Sequence, residues 1–187
     1  MNATLHAAVV NFEVYLLMTM KPRLSLKDTR GLLDAKLAKA GLSLDEAVRI
    51  HDRVAEALSE ATSRFRDMKT LLGVLDEDAT ALKYNSVLWP GFKFNAHADA
   101  NGLLESAGYT HTEHTSLDVE SPAQLAAWSC DIPEFDERFG PAIRRTKRPL
   151  FDDILPAEET YEFLWNEDRY GAEFLWGLFL QASMVWD

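Results

Sequence analysis

The chain has 187 residues, 47% of them apolar and 26% charged, and a formal net charge of -11. This is the balance of a globular chain long enough to bury a sizeable core, and it excludes a disordered chain; Cys130, the single cysteine, excludes a disulfide-stapled one. The acidity is lopsided: residues 111–187 hold 16 acidic and 6 basic side chains against 14 and 13 in residues 1–110, a field that repels nucleic-acid phosphates and anionic membrane and attracts basic partners.

The opening stretch MNATLHAAVVNFEVYLLMTM has no basic residue ahead of its apolar run and carries Asn11 and Glu13. It is expected to be a folded helix over about 4–20 and not a signal peptide, ending before Lys21-Pro22 because proline disfavours helix in the residue ahead of it. No window offers the roughly 18 uninterrupted apolar residues of a membrane span. The lone cysteine points to a reducing compartment, so a cytoplasmic location is expected.

A second helix is expected from Ser25, with Asp28 in capping-box position, to Ala40, stopped by Gly41. Ser43 is the next N-cap, with Glu46 completing its capping box. From there Leu44, Ala47, His51, Val54, Leu58, Ala61, Phe65, Met68 and Leu72 alternate steps of three and four. That spacing predicts one long helix over about 44–72 with a narrow apolar seam, the spine of a bundle.

Beyond Asp76 the pattern changes. Residues 79–88 are expected to form a short helix ended by Trp89-Pro90-Gly91, and a helix is expected around 99–107. Between and after them Phe92-Lys93-Phe94 and 109–115 carry the aromatic and β-branched alternation of a small two-stranded ribbon. Ser121-Pro122 opens a helix running to about Cys130. Residues 131–156, with four prolines, read as helical turns and loops.

In the tail, Glu162, Asn166, Arg169, Glu173, Gly177 and Gln181 are spaced 4, 3, 4, 4 and 4. On a helix they form one stripe roughly 120° wide at about 100° per residue, so a closing aromatic helix is expected over about 157–185. Trp176 and Phe179 would be its packing mass, and Asp168 falls on the wrong side of the stripe. The expected fold is therefore mainly α, a helical bundle-like single domain over 1–187. It comprises an N-terminal helical unit (about 1–75) and an acidic, mainly helical part (about 76–187).

His97, Asp99, His111 and His114 supply the ligand types of a zinc or iron site. On a strand, however, His111 and His114 point to opposite faces, and no HExxH or cysteine pair accompanies them. Satisfied surface histidines are the commoner outcome, and no metal or other cofactor is assigned. His51, in the apolar seam, reads as a satisfied core histidine. Cys130, at a helix end with no histidine near it in sequence, reads as a buried hydrophobe and not a nucleophile. The cluster from Arg144 to Arg148 reads first as a solvated face and second as an internal partner for the chain's own carboxylates.

No catalytic fingerprint stands out, so a non-enzymatic reading ranks first. The chain is expected to be an acidic protein that binds a basic partner protein, itself perhaps a nucleic-acid binder whose phosphates the carboxylates mimic. It would inhibit or occlude that partner as immunity-type proteins do. The expected contact residues are Asp152, Asp153, Glu158, Glu159, Glu162, Glu167 and Asp168, with Trp165 as anchor. Two alternatives are carried: a metal-dependent enzyme using the His/Asp cluster, and a structural helical protein that self-assembles.

Overall fold

A computed structural model describes residues 3–24, 30–76, 78–149 and 156–185. The fold is α/β, with five α-helices and seven antiparallel strands in two sheets among the described residues, 38% helical and 30% strand. The mainly α bundle expected from the sequence is thereby overturned. The chain divides into two compact units, residues 1–90 with 96–105, and residues 91–95 with 106–187.

In the first unit, helix α1 (Ala3–Leu24) is the centre. Every residue from Phe12 to Met20 is buried, which is the signature of a helix covered on all sides. Helices α2 (Arg30–Lys39) and α3 (Leu44–Ala57) lie against it. Gly41, at φ 70°, supplies the left-handed stop after α2, and Leu42 N–H donates to the Leu37 carbonyl at 3.0 Å. The Ser43–Glu46 capping box forms as the sequence predicts, with the Ser43 N–H donating to Glu46 Oε2 at 2.8 Å. Those bonds hold the Glu46 carboxyl below its ordinary range.

The long spine does not form. The chain leaves helix at Leu58 and re-enters as α4 (Arg64–Leu71). A straight helix over 44–72 would run about 43 Å at 1.5 Å per residue, well beyond the end of α1. Folding back lets Leu58, Phe65, Met68 and Leu72 all be buried. Buried Arg64 caps the break, its Nε donating to the Leu58 carbonyl at 2.8 Å. Seam spacing alone could not reveal this, because a break of whole turns keeps the seam in phase.

Strands β1 (Ala81–Asn85), β2 (Phe92–Ala98) and β3 (Leu104–His111) form a three-stranded sheet in that order. The helices expected over 79–88 and 99–107 are thus strand, and the expected two-stranded ribbon is one strand larger. A tight turn joins β2 to β3: Asp99 Oδ1 accepts from Asn101 N–H at 2.8 Å and Leu103 N–H at 2.9 Å. Asx turns of this kind are strong local signals against helix.

The second unit is built on a meander, β4 (Arg144–Pro149), β5 (Pro156–Trp165), β6 (Asp168–Leu175) and β7 (Leu178–Met184), paired in chain order. It replaces the expected closing helix over 157–185. Asn166 (φ 50°) with Glu167 (φ 71°), and Trp176 (φ 53°) with Gly177 (φ 79°), make the two tight turns. Positive φ at both central residues is the turn type that matches strand twist. Residue pairing across the first turn sets Thr160 opposite Glu173 and Glu162 opposite Gly171, so outward positions are even-numbered in β5 and odd-numbered in β6. A bulge at Leu180 keeps them odd in β7, where Gln181 opposes Glu173. Glu162, Arg169, Glu173 and Gln181 therefore share one sheet face while Asn166 and Gly177 fall in turns, and the result imitates a helical stripe.

The inner face of this sheet carries Tyr161, Phe163, Ala172, Phe174 and Phe179. Helix α5 (Ile132–Phe139) packs there through Phe135 and Phe139, with Phe135 edge-on to Phe163 at 5.1 Å and to Phe174 at 5.3 Å. The helix expected over 121–130 is reduced to a 3-10 turn, Pro122–Gln124. Cys130 consequently precedes a helix instead of ending one.

Candidate interaction surface

The strand register decides what each predicted contact residue does. Alignment of β4 against β5 sets Lys147 opposite Glu159 and Arg144 opposite Glu162, so the basic run and the acidic run form a cross-strand charge ladder. Lys147 Nζ lies 3.2 Å from Glu159, and Glu162 receives Arg169 at 2.6 Å and Arg144 at 4.0 Å. Arg145 pairs with Asp136 of α5 and lies over the Tyr161 ring, 4.8 Å from its centroid. Burial and the neighbouring Glu159 carboxylate, which accepts from the phenol at 3.0 Å, push the Tyr161 phenol up. Burial likewise raises Asp136 against the pull of Arg145. The run from Arg144 to Lys147 is thus largely engaged within the chain.

Glu158 is buried. Trp165 is partly buried against the core: it stands edge-on to Phe139 at 5.1 Å, with the Arg138 guanidinium 5.0 Å from its ring centroid. Asp152 and Asp153 lie outside the described residues. Glu167 and Asp168 are exposed at the tip of the β5–β6 hairpin, near Leu164 on the outer face, which is 56% exposed. Asp168 sits on the wrong side of the imagined stripe because it closes a turn, opposite Trp165.

The candidate metal residues separate. His97 is the penultimate residue of β2 and Asp99 begins the turn after it, both in the first unit, while His111 and His114 belong to the second. Among the described residues no group of three or more His, Cys, Asp or Glu side chains is arranged to hold a metal ion.

His111 and His114 engage acidic side chains of α5 instead. His111, at the end of β3, stacks on Phe92 with ring centroids 3.8 Å apart, and its Nδ1 lies 2.5 Å from Glu134 Oε2. His114 sits between Glu134 and Glu137. Glu134 is buried and also accepts from Thr115 N–H at 2.8 Å, while buried Asp131 accepts the His111 backbone N–H at 2.9 Å. The two imidazoles thereby fasten the segment after β3 to the start of α5. Asp131 and Glu134 form the capping box of α5, and the signal was in the sequence: an acid, then proline, then Glu three positions on. Burial, and after it the Glu134 and Asp131 carboxylates, raise the Cys130 thiol to about 12, so a thiolate nucleophile is not supported there.

Among the described residues no helix is long and apolar enough to cross a membrane. No protein-family model, curated protein or solved structure matches the chain.

Proposed function

We propose that the chain is a non-enzymatic acidic protein that docks a basic partner protein through the tip of the β5–β6 hairpin, occluding the partner's cationic surface. The observation that carries the reading is the backbone at Glu167. Its φ of 71° is a conformation that glycine adopts freely and a residue with a Cβ holds at a cost of about 1–2 kcal/mol. The turn nevertheless presents a carboxylate there, beside a second at Asp168 and an exposed Leu164. Strain kept at an exposed acidic tip is an argument for use, and the excess of 16 acidic over 6 basic side chains in residues 111–187 would steer a basic protein toward it.

The carboxylates of β5 support the reading less than the sequence suggested, since Glu159 pairs with Lys147 of β4 and Glu162 with Arg169 of β6. The experiment is affinity capture from the native host with three baits: the natural chain, Glu167→Gln/Asp168→Asn, and Asp45→Asn/Glu56→Gln, which removes the same charge from exposed positions of α3. A basic protein held by the first and third baits and lost by the second is the expected outcome. Equal retention by all three, or capture of a partner that is not basic, would remove the proposal.

A further inference from the structure

The four-stranded sheet of the second unit has two edges of opposite character. Along β4 the exposed side chains of Arg144, Arg145, Lys147 and Arg148 crowd one edge with cations, a device that keeps a strand edge from pairing with another chain. Strand β7 forms the other edge, and from Leu178 to Val185 it carries no charged residue and no proline. The lane beside its first residues is taken: Phe179 N–H donates to the Cys130 carbonyl at 3.0 Å, and its carbonyl accepts the Trp128 N–H at 2.7 Å. Beyond the bulge the edge is open. Val185 N–H donates to the Arg169 carbonyl at 2.9 Å, and Ser183 stands opposite Gly171 in the same register. Odd-numbered residues therefore bond to β6 there, while Ala182 and Met184 turn their N–H and C=O away from it. Neither has a backbone partner on that side among the described residues, and Ser183, Met184 and Val185 are exposed.

We propose that β7 is the interface between two copies of this chain, which pair antiparallel through residues 181–185 about a two-fold axis at Ser183. The open edge is complementary to itself in this register. Ala182 of one copy faces Met184 of the other, and each such pair exchanges both of its N–H···O bonds, so every outward backbone group of Ala182 and Met184 is satisfied. On the inner face the small Ala182 receives Met184 of the second copy, a side chain left 40% exposed in the single chain. On the outer face Ser183 meets its counterpart and Gln181 stands opposite Val185, so no like charges meet across the join. The continuous sheet that results ends on β4 at both sides. Its cations stop further strand addition, and the assembly closes at the dimer instead of growing into a fibre.

The test uses the full-length chain. Sedimentation velocity across about a hundredfold range of concentration should show a monomer–dimer equilibrium that strengthens with salt, because two copies of charge -11 repel each other. Met184→Pro removes an outward N–H and leaves the bonds to β6 in place, and should weaken dimerisation at least about tenfold. Met184→Lys, which puts a charge on the edge without altering the backbone, should do the same. Ser183→Cys reads the register. With oxidised glutathione it should give a disulfide-linked dimer, because the two 183 positions form a non-hydrogen-bonded pair with Cα atoms about 4.5 Å apart. Buried Cys130 does not compete. Gln181→Cys and Val185→Cys, each facing the other position and not itself, should stay unlinked. A chain that is monomeric throughout the range, association undiminished in both Met184 variants, or linkage as fast at 181 or 185 as at 183 would overturn the proposal.

Discussion

Single residues carry the sharpest consequences. At Gly177 an added Cβ would stand 2.7 Å from the Tyr109 carbonyl oxygen, at a φ of 79°. Gly177→Ala is expected to cost the second unit about 2 kcal/mol or more in chemical denaturation. At Gly171, by contrast, the nearest atom is Val185 Cγ2 at 3.4 Å, and alanine should be tolerated within about 1 kcal/mol. Glu167→Gly separates fold from function: releasing the left-handed strain should raise stability by about 1 kcal/mol while weakening partner capture. A variant that gained stability and bound equally well would show that the tip carboxylate is not a contact.

Lys36 gives the pH dependence of the first unit its sign. Its folded pKa, about 8, lies below the ordinary lysine value of 10.5, so between those limits the unfolded chain binds more protons than the folded one. Stability should therefore rise as pH increases from about 8 to 10.5, and Lys36→Met should flatten that rise. Urea midpoints read at intervals across the window decide it.

Secondary-structure elements show which sequence signals could be trusted. The Ser43–Glu46 box and Gly41 were legible because capping chemistry is local: a side chain meets a backbone group three residues away, whatever the rest of the fold does. The stripe from Glu162 to Gln181 misled because two tight hairpins and one bulge shift the parity of outward positions, so that a period of two masquerades as one near 3.6. Neither turn carries the Asn-Gly or Asp-Gly pair that would have announced it; each places a bulky residue at positive φ instead.

The break in the expected 44–72 helix was invisible for the opposite reason, since its seam stayed intact on both sides. Only strand register reveals that Glu159 and Glu162, two of the candidate contact acids, stand opposite Lys147 and Arg144. Helix α5 is where a missed local signal matters for energetics. Asp131→Ala removes both its N-cap and the acceptor of the His111 N–H, and should cost about 2 kcal/mol in urea unfolding. Asp131→Asn, which can still cap, should cost less.

For the molecule as a whole, a net charge of -11 favours the proposed basic partner more than any one contact does. Glu159 and Glu162 are paired on the sheet while Glu167 and Asp168 are exposed at the hairpin tip, so the proposed attraction is local and screened by salt over about 8–10 Å at physiological ionic strength. The direct test is the Kd of the captured partner for the natural chain and for Glu167→Gln/Asp168→Asn, each at low and at high salt. The account predicts binding at least about tenfold weaker for the variant at low salt, with the difference shrinking as salt rises, while Asp45→Asn/Glu56→Gln stays near the natural affinity. Equal affinities for the natural chain and the tip variant across the salt range would contradict it.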